Sequence, residues 1–383
     1  MRKFLNKIHL WLGLVTGLVV FVSMLAASIF VWEEELSAWY HKDKIFVPEV
    51  KSTVLPLDSL YATIKLKHPF ADYATISHNP KKSYVFNSYE ENTEPHWTAA
   101  SDCKSYSNIY IDQYTGKELG EVDLRYDWIF NLRVLHQNLL LTYDVGHYIV
   151  GFSTLFIFVL ILTGIYLWWP KNKAALKQRV WFRWKSTTKW KRKNYDFHNI
   201  GGIYTFIFIL IFAITGLVWT FDWWTNGIYR ILGNDPEKVW AKTPEISKVN
   251  TVNTQNPFEY MVQDIKVKIP KWTSIGLSLP EKPTKEAVPV ATFIKHEGSS
   301  GWDESDIYTY NSVSAKNYYT VKHKDKTLGA KWRNSNYAIH TGSIYGFPTK
   351  LLASLVSLFC ALLPVSGFLI WWGRNKKNNR KSK

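Results

Sequence analysis

Five of the eleven histidines in this 383-residue sequence stand at the edges of long apolar runs, and four of them form two matched sets. His9 and His198 each precede a glycine, Gly13 or Gly202, by four residues at the start of an apolar run. Eighteen residues after each comes a small residue, Ala27 or Gly216. His136 lies 28 residues before Gly164, and His340 lies 27 before Gly367. Two imidazoles that face one another can supply both axial ligands of a haem iron, while apolar and aromatic walls solvate the macrocycle without a covalent link. Two such pairs, His9 with His198 and His136 with His340, would place one haem near each membrane face. His147 is a substitute ligand for the second pair, because on an unbroken helix it lies on nearly the face of His136, about 16 Å further along. Four histidines could instead hold zinc, but pairs at opposite faces, with no His/Cys/Asp cluster on either, do not make a compact tetrahedral site. A proton relay would need buried carboxylates that the apolar runs lack. The other six histidines, His41, His68, His78, His96, His296 and His323, lie in polar stretches and read as solvated surface residues.

The elements that must position these residues are four apolar windows, His9–Val31, Tyr148–Trp169, Gly201–Phe221 and Leu351–Trp372. At about 1.5 Å per residue each is long enough to cross a hydrocarbon core about 30 Å thick. A soluble protein is thereby excluded. The net charge of +16 would suit a nucleic-acid binder, but its placement does not: residues 1–8, 170–197 and 373–383 carry 19 of the 47 basic residues and one of the 31 acidic ones. Basic residues gathered beside helix ends follow the positive-inside rule, which sets the N-terminus, the 171–197 loop and the C-terminus on the cytoplasmic side. The first window could be a cleaved signal peptide with Ala26-Ala27-Ser28 as its site, yet it exceeds the usual apolar length of about 7–15 residues. We therefore expect it to be retained as a span. Cys103 and Cys360, the only cysteines, lie in an outer segment and in the fourth window, cannot pair, and begin no C-x-x-C-H.

In order, the expected segments are 1–32 (cytoplasmic N-terminus and first span), 33–146 (first outer module with a pre-span helix), 147–170 (second span), 171–197 (basic loop), 198–222 (third span), 223–348 (second outer module), 349–372 (fourth span) and 373–383 (basic tail). Gly13 and Gly17 give the first span a small-xxx-small face for close helix approach. The first module begins with a helix near Leu57–Lys67, followed by strand candidates at Tyr73–Ser77, Ser83–Asn87 and Ile109–Asp112 and a turn at Asp112–Gly116. It closes with a helical stretch, Trp128–Leu141, around His136. The second module repeats the plan: a helix near Pro257–Lys268, then strand candidates at Ser274–Ser278, Val288–Phe293, Asp306–Tyr310 and Tyr318–His323. Both even-numbered spans end in Ser/Thr-Gly, three apolar or aromatic residues and Trp-Trp, at Thr163–Trp169 and Ser366–Trp372. The fold class is thus a membrane α-helical protein with four transmembrane helices in two parallel repeats, roughly 1–193 and 194–383, and two α+β modules.

This pattern resembles the PepSY-associated transmembrane family, which includes iron-regulated inner-membrane proteins and ferric-siderophore reductases. The carriers are Lys7-Ile8-His9-Leu10-Trp11-Leu12-Gly13, Leu135-His136-Gln137-Asn138-Leu139, Thr163-Gly164 through Pro170, Asp196-Phe197-His198, His340-Thr341-Gly342, and Ser366-Gly367 to Arg374. The resemblance implies PepSY-like outer modules in the periplasm of a bacterial inner-membrane protein. It implies a haem b enzyme that passes electrons outward to a ferric siderophore, with His9, His136, His198 and His340 as iron ligands. The chain has no G-x-G-x-x-G and no evident flavin module, so a separate donor, a flavoprotein or quinol, is expected. Trp97, Trp272, Trp302 and Trp332 are candidate substrate contacts, with packing as the other reading of each. The alternative function is a non-enzymatic regulator or assembly factor whose modules bind a periplasmic partner. A transporter is disfavoured by the lack of charged residues in the spans.

Overall fold

A computed structural model describes residues 1–240, 242–245, 254–280, 287–298 and 304–379, and divides the chain into two compact units. The first unit holds residues 1–32, 132–225 and 339–383, and the second holds 33–131 and 226–338.

Three helices in the first unit are long and apolar enough to cross a membrane: Tyr143–Trp168, Trp190–Trp219 and Phe347–Arg374. The fourth candidate, the first in sequence, is broken. Arg2–Val15 and Gly17–Phe30 meet at a bend of 59° about Thr16. The Thr16 hydroxyl donates back to the Leu12 carbonyl at 2.8 Å, a bond that competes with helix continuation. A Cβ on Gly17 would stand 3.2 Å from Cβ of Pro364 in the Phe347–Arg374 helix, so the small residue admits that neighbour. The third span starts well before the apolar window, at Trp190, and passes through a π turn at Phe197–Gly201 before resuming as Gly202–Gly216. Inserted π turns are frequent at functional positions, and this one carries His198.

The second unit contains one eight-stranded antiparallel sheet rather than two separate ones: β1 (Ala71–Ser77), β2 (Tyr84–Glu91), β3 (Cys103–Ile111), β4 (Glu118–Asp123), β5 (Trp272–Ser278), β6 (Pro289–His296), β7 (Ser305–Asn311) and β8 (Asn317–Val321), in the order β4-β3-β2-β1-β5-β6-β7-β8. Each expected module supplies four strands, and β1 pairs with β5 in register Ala74↔Leu277 and Ile76↔Ile275. Separate modules would leave β1 and β5 as open edges, a liability that their pairing removes. Gly276 belongs at this seam because a Cβ there would lie 1.9 Å from the Tyr73 hydroxyl. Strand β4 escaped the sequence pattern because charged residues fall on both of its alternating faces, Glu118 on one and Glu121 and Asp123 on the other.

Two helices, Leu57–Lys67 and Pro257–Lys268, pack on one shared core with this sheet. Leu57, Leu60, Tyr61 and Ile64 recur at i, i+3, i+4 and i+7, as do Phe258, Met261, Val262 and Ile265 with the same effect. The helices cap each other. Asp58 Oδ2 accepts from Glu259 N–H at 2.8 Å, and Glu259 Oε2 accepts from Leu57 N–H at 2.9 Å. Asp58→Ala is expected to cost about 0.5–2 kcal/mol of stability, the range for a lost N-terminal cap, measurable as a lower denaturant midpoint for the sheet signal.

One histidine assignment is corrected here. His41 is buried, and its Nε2 lies 2.8 Å from Oδ2 of Asp127, which also caps the next helix by accepting from Phe130 N–H. Its polar sequence neighbours point outward while the ring turns in toward that carboxylate.

Candidate functional site

All four matched histidines fall in the first unit, and they meet as two pairs. The rings of His9 and His198 have centroids 6.3 Å apart and planes at 87°. Those of His136 and His340 are 5.9 Å apart at 42°. Each pair takes one ring from each half of the chain.

Every one of these rings is held through Nδ1 by a hydroxyl from its own half. His9 Nδ1 is 2.9 Å from Thr163 Oγ1, His198 Nδ1 is 2.9 Å from Ser366 Oγ, His340 Nδ1 is 2.8 Å from Thr215 Oγ1, and His136 Nδ1 is 2.9 Å from Ser23 Oγ. The direction of these bonds follows from where the hydroxyl protons go. Thr163 donates to the Val159 carbonyl at 2.6 Å, Thr215 to Ile211 at 2.7 Å, Ser366 to Leu363 at 2.8 Å and Ser23 to His136 at 2.7 Å. Each oxygen is therefore left as an acceptor, and the imidazole must be the donor. Nδ1 of His198 also faces the Leu363 carbonyl at 3.1 Å, and that of His136 faces the Ser23 carbonyl at 3.0 Å, groups that can only accept. The proton is thus fixed on Nδ1, and Nε2 keeps its lone pair. No described residue hydrogen-bonds Nε2 of any of the four.

This donor set fits a bis-imidazole haem. A metal–imidazole bond of about 2.0–2.1 Å, with the ring centre about 1.15 Å behind the nitrogen, separates two ring centres by about 6.3–6.5 Å. Both observed separations lie within about half an ångström of that range. Outside the spans, burial pushes His136 and His340 below the ordinary histidine range, and His136 beside it helps bring His340 down to about 3. Both rings are therefore neutral at physiological pH, the form that ligates metals.

Glycines make room beside three of the rings. A Cβ on Gly164 would lie 3.3 Å from Cε1 of His9, one on Gly367 3.3 Å from Cε1 of His198, and one on Gly216 3.1 Å from Cε1 of His340. Thr163-Gly164, Ser366-Gly367 and Thr215-Gly216 are therefore one device used three times, a hydroxyl for Nδ1 followed by a bare backbone under the ring. In the first span the hydroxyl is Ser23, four residues before Ala27, and Met24 replaces the glycine. The interval from histidine to hydroxyl is 14 residues in the first span and 17 in the third. The break at Thr16 and the π turn at Phe197–Gly201 lie within those intervals, so the two halves do not superpose residue for residue. These hydroxyls were not singled out as ring partners in the sequence, although the repeated Ser/Thr-Gly was visible. Along the third span, 17 residues from His198 to Thr215 correspond to about 25 Å, which sets the pairs at opposite ends of the bundle. Phe212 and Trp219 stand edge-on to His340 at 6.1 and 5.3 Å and form an aromatic wall.

The turn after His136 is held tightly. Leu139 and Leu140 adopt φ of 58° and 60°, a left-handed backbone that costs about 1–2 kcal/mol per residue with a side chain. Asn138 Nδ2 spans the turn to the Leu141 carbonyl at 2.7 Å, and Gly146 packs beneath it, where a Cβ would be 2.1 Å from the Asn138 carbonyl oxygen. Gly146→Ala must therefore displace backbone two residues from His136. We expect a stability loss of about 3 kcal/mol, the upper range for overpacking, seen as a lower unfolding temperature in detergent.

The remaining candidates are not brought to either pair. His147 stacks on Tyr143 at 4.3 Å and meets the tilted ring of Tyr148 at 3.9 Å, and its Nδ1 donates to the Tyr143 carbonyl. The helix from Tyr143 is separate from that carrying His136, so the eleven-residue interval does not return it to the same face. Trp272 is buried in the sheet core against His78, and Trp332 packs on Tyr229, so both serve packing. Trp97 is exposed, and Trp302 lies outside the described residues. Among the described residues no three His, Cys, Asp or Glu side chains gather as a metal site.

A search of the curated proteins finds no match to this chain. The family model described as PepSY-associated TM region matches residues 6–374, nearly the whole length. The chain therefore belongs to the PepSY-associated transmembrane family.

Proposed function

We propose that this chain is a haem b-dependent membrane reductase that carries electrons across the bacterial inner membrane to a ferric siderophore in the periplasm. The observation that carries this reading is the two pairs of imidazoles, each with Nδ1–H donated to a fixed acceptor and Nε2 left for an iron. A haem bound in each pair would supply reversible one-electron reduction at its iron. His9 and His198 would hold the haem near the cytoplasmic face, and His136 and His340 the one near the periplasmic face. The chain's own contribution is positional. Ser23, Thr163, Thr215 and Ser366 hold the imidazole protons, glycines admit the rings, and the apolar spans exclude water. The basic segments favour a cytoplasmic N-terminus, 171–197 loop and C-terminus, with the sheet-forming segments outside. The electrons come from a separate flavoprotein or quinol. Hard oxygen chelators hold ferric iron better than ferrous, so reduction favours release.

The test is the absorption spectrum of protein purified from membranes of cells supplied with haem. A Soret band that shifts on dithionite reduction, and shifts back on adding a ferric chelate, is expected. A colourless preparation would sink the reductase reading and leave the non-enzymatic regulator in its place.

A further inference from the structure

We propose that the segment joining the second and third spans is a binding site for anionic phospholipid headgroups, lying flat on the membrane surface at the end of the bundle. The inference rests on the reading of these helices as spans and is independent of haem. The segment is fixed to the bundle at its middle. Arg179 reaches the Leu167, Trp168 and Trp169 carbonyls at the open end of the second span, and Trp168 Nε1 donates to the Arg179 carbonyl at 3.2 Å. The Tyr204 hydroxyl of the third span donates to the next carbonyl, that of Val180. These bonds hold residues 179–180 level with Trp168 and Trp169, the depth at which aromatic side chains favour the headgroup layer.

The side chains displayed at that level are of two kinds. Trp181 and Trp190 are 67% and 71% exposed, and Trp184 is 44% exposed. Around them Lys173, Lys177, Arg183, Lys185, Lys189 and Lys191 are all exposed, and none has an acidic partner among the described residues. The one acid of the segment, Asp196, is buried and already met by Arg192 Nε at 2.9 Å and Trp184 Nε1 at 3.2 Å. Unneutralised cations interleaved with exposed tryptophans suit a surface that is anionic above and apolar beneath. A phospholipid leaflet presents both, and a soluble acidic partner would not cover the tryptophans. Each basic side chain near such a surface contributes about a fivefold preference, so four together outweigh thermal motion by a wide margin.

The experiment compares full-length protein in nanodiscs of phosphatidylcholine alone and of phosphatidylcholine mixed with phosphatidylglycerol, reading amide hydrogen exchange across residues 173–193. Exchange is expected to slow about tenfold or more in the anionic discs, and the difference should shrink at high salt. The variant Lys173→Gln/Lys177→Gln/Arg183→Gln/Lys185→Gln should lose that difference while exchange within Tyr143–Trp168 stays unchanged. Equal exchange of the wild type in the two lipids, which is what an acidic protein partner predicts, would overturn the proposal. So would slowing retained in the variant.

Discussion

His198→Ala should leave the purified protein with about half the haem of the wild type, because each iron in this arrangement depends on two imidazoles. The reason is local. His9 and His198 face each other at 6.3 Å, and no other described His, Cys or carboxylate gathers with them to replace a lost ligand. His9→Ala should therefore cause the same loss, and the double variant should lose no more than either single one, since both changes empty one site. His340→Ala should remove the other half. The planes of the two pairs differ, 87° against 42°, so their low-spin signals in electron paramagnetic resonance should be distinguishable. His198→Ala should abolish only the signal of the perpendicular pair. Haem per chain, measured as the pyridine haemochrome, gives the stoichiometry directly. Wild-type haem content in His198→Ala would refute the assignment of this ligand, whatever the family implies.

The parts of this molecule written as periodicity were legible in the sequence. The helices Leu57–Lys67 and Pro257–Lys268 follow from apolar residues at helical spacing, and three spans follow from uninterrupted hydropathy. The histidine sets were visible because Ser/Thr-Gly recurs at Thr163-Gly164 and Ser366-Gly367, 28 residues after His136 and 27 after His340. What could not be read were features fixed by residues distant in sequence or by local backbone geometry. The pairing of β1 with β5 depends on a seam between distant segments, and Gly276 beneath Tyr73 is an ordinary strand glycine until that partner is known. His41 looked solvated because its neighbours are polar, yet a buried Asp127, 86 residues away, turns it inward. The bend at Thr16 and the π turn at His198 leave hydropathy unchanged, so a window average passes over both. Trp272 lies three residues before Ile275, so strict alternation along β5 would turn it to the other face; the register shift between Trp272 and Ser274 puts both in one core.

Thr215→Val is expected to weaken haem retention by the His136–His340 pair about 10–100-fold, the usual effect of losing the partner that orients a metal-bound imidazole. Valine nearly matches threonine in shape, so the change removes chiefly the oxygen that accepts from His340 Nδ1–H at 2.8 Å. Two outcomes are open to the ring. It can keep Nδ1–H on the Phe212 carbonyl alone, a weaker hold on the ring than two acceptors give. Otherwise its proton moves to Nε2, where it occupies the lone pair that iron requires. Both lower affinity, and the first also makes the imidazole a poorer electron donor, so the midpoint potential of any haem retained should rise. Thr215→Ser keeps the oxygen and should restore affinity and potential together. This separates the hydrogen bond from packing, because serine removes a methyl group that valine keeps. Thr163→Val should act in the same way on the His9–His198 pair and leave the other unchanged. The rate of haem transfer to an apo-globin acceptor and a potentiometric titration read both effects without reference to reductase activity. If Thr215→Val holds haem as the wild type does, at an unchanged potential, the hydroxyl does not set the tautomer, and the Phe212 carbonyl alone keeps the proton on Nδ1.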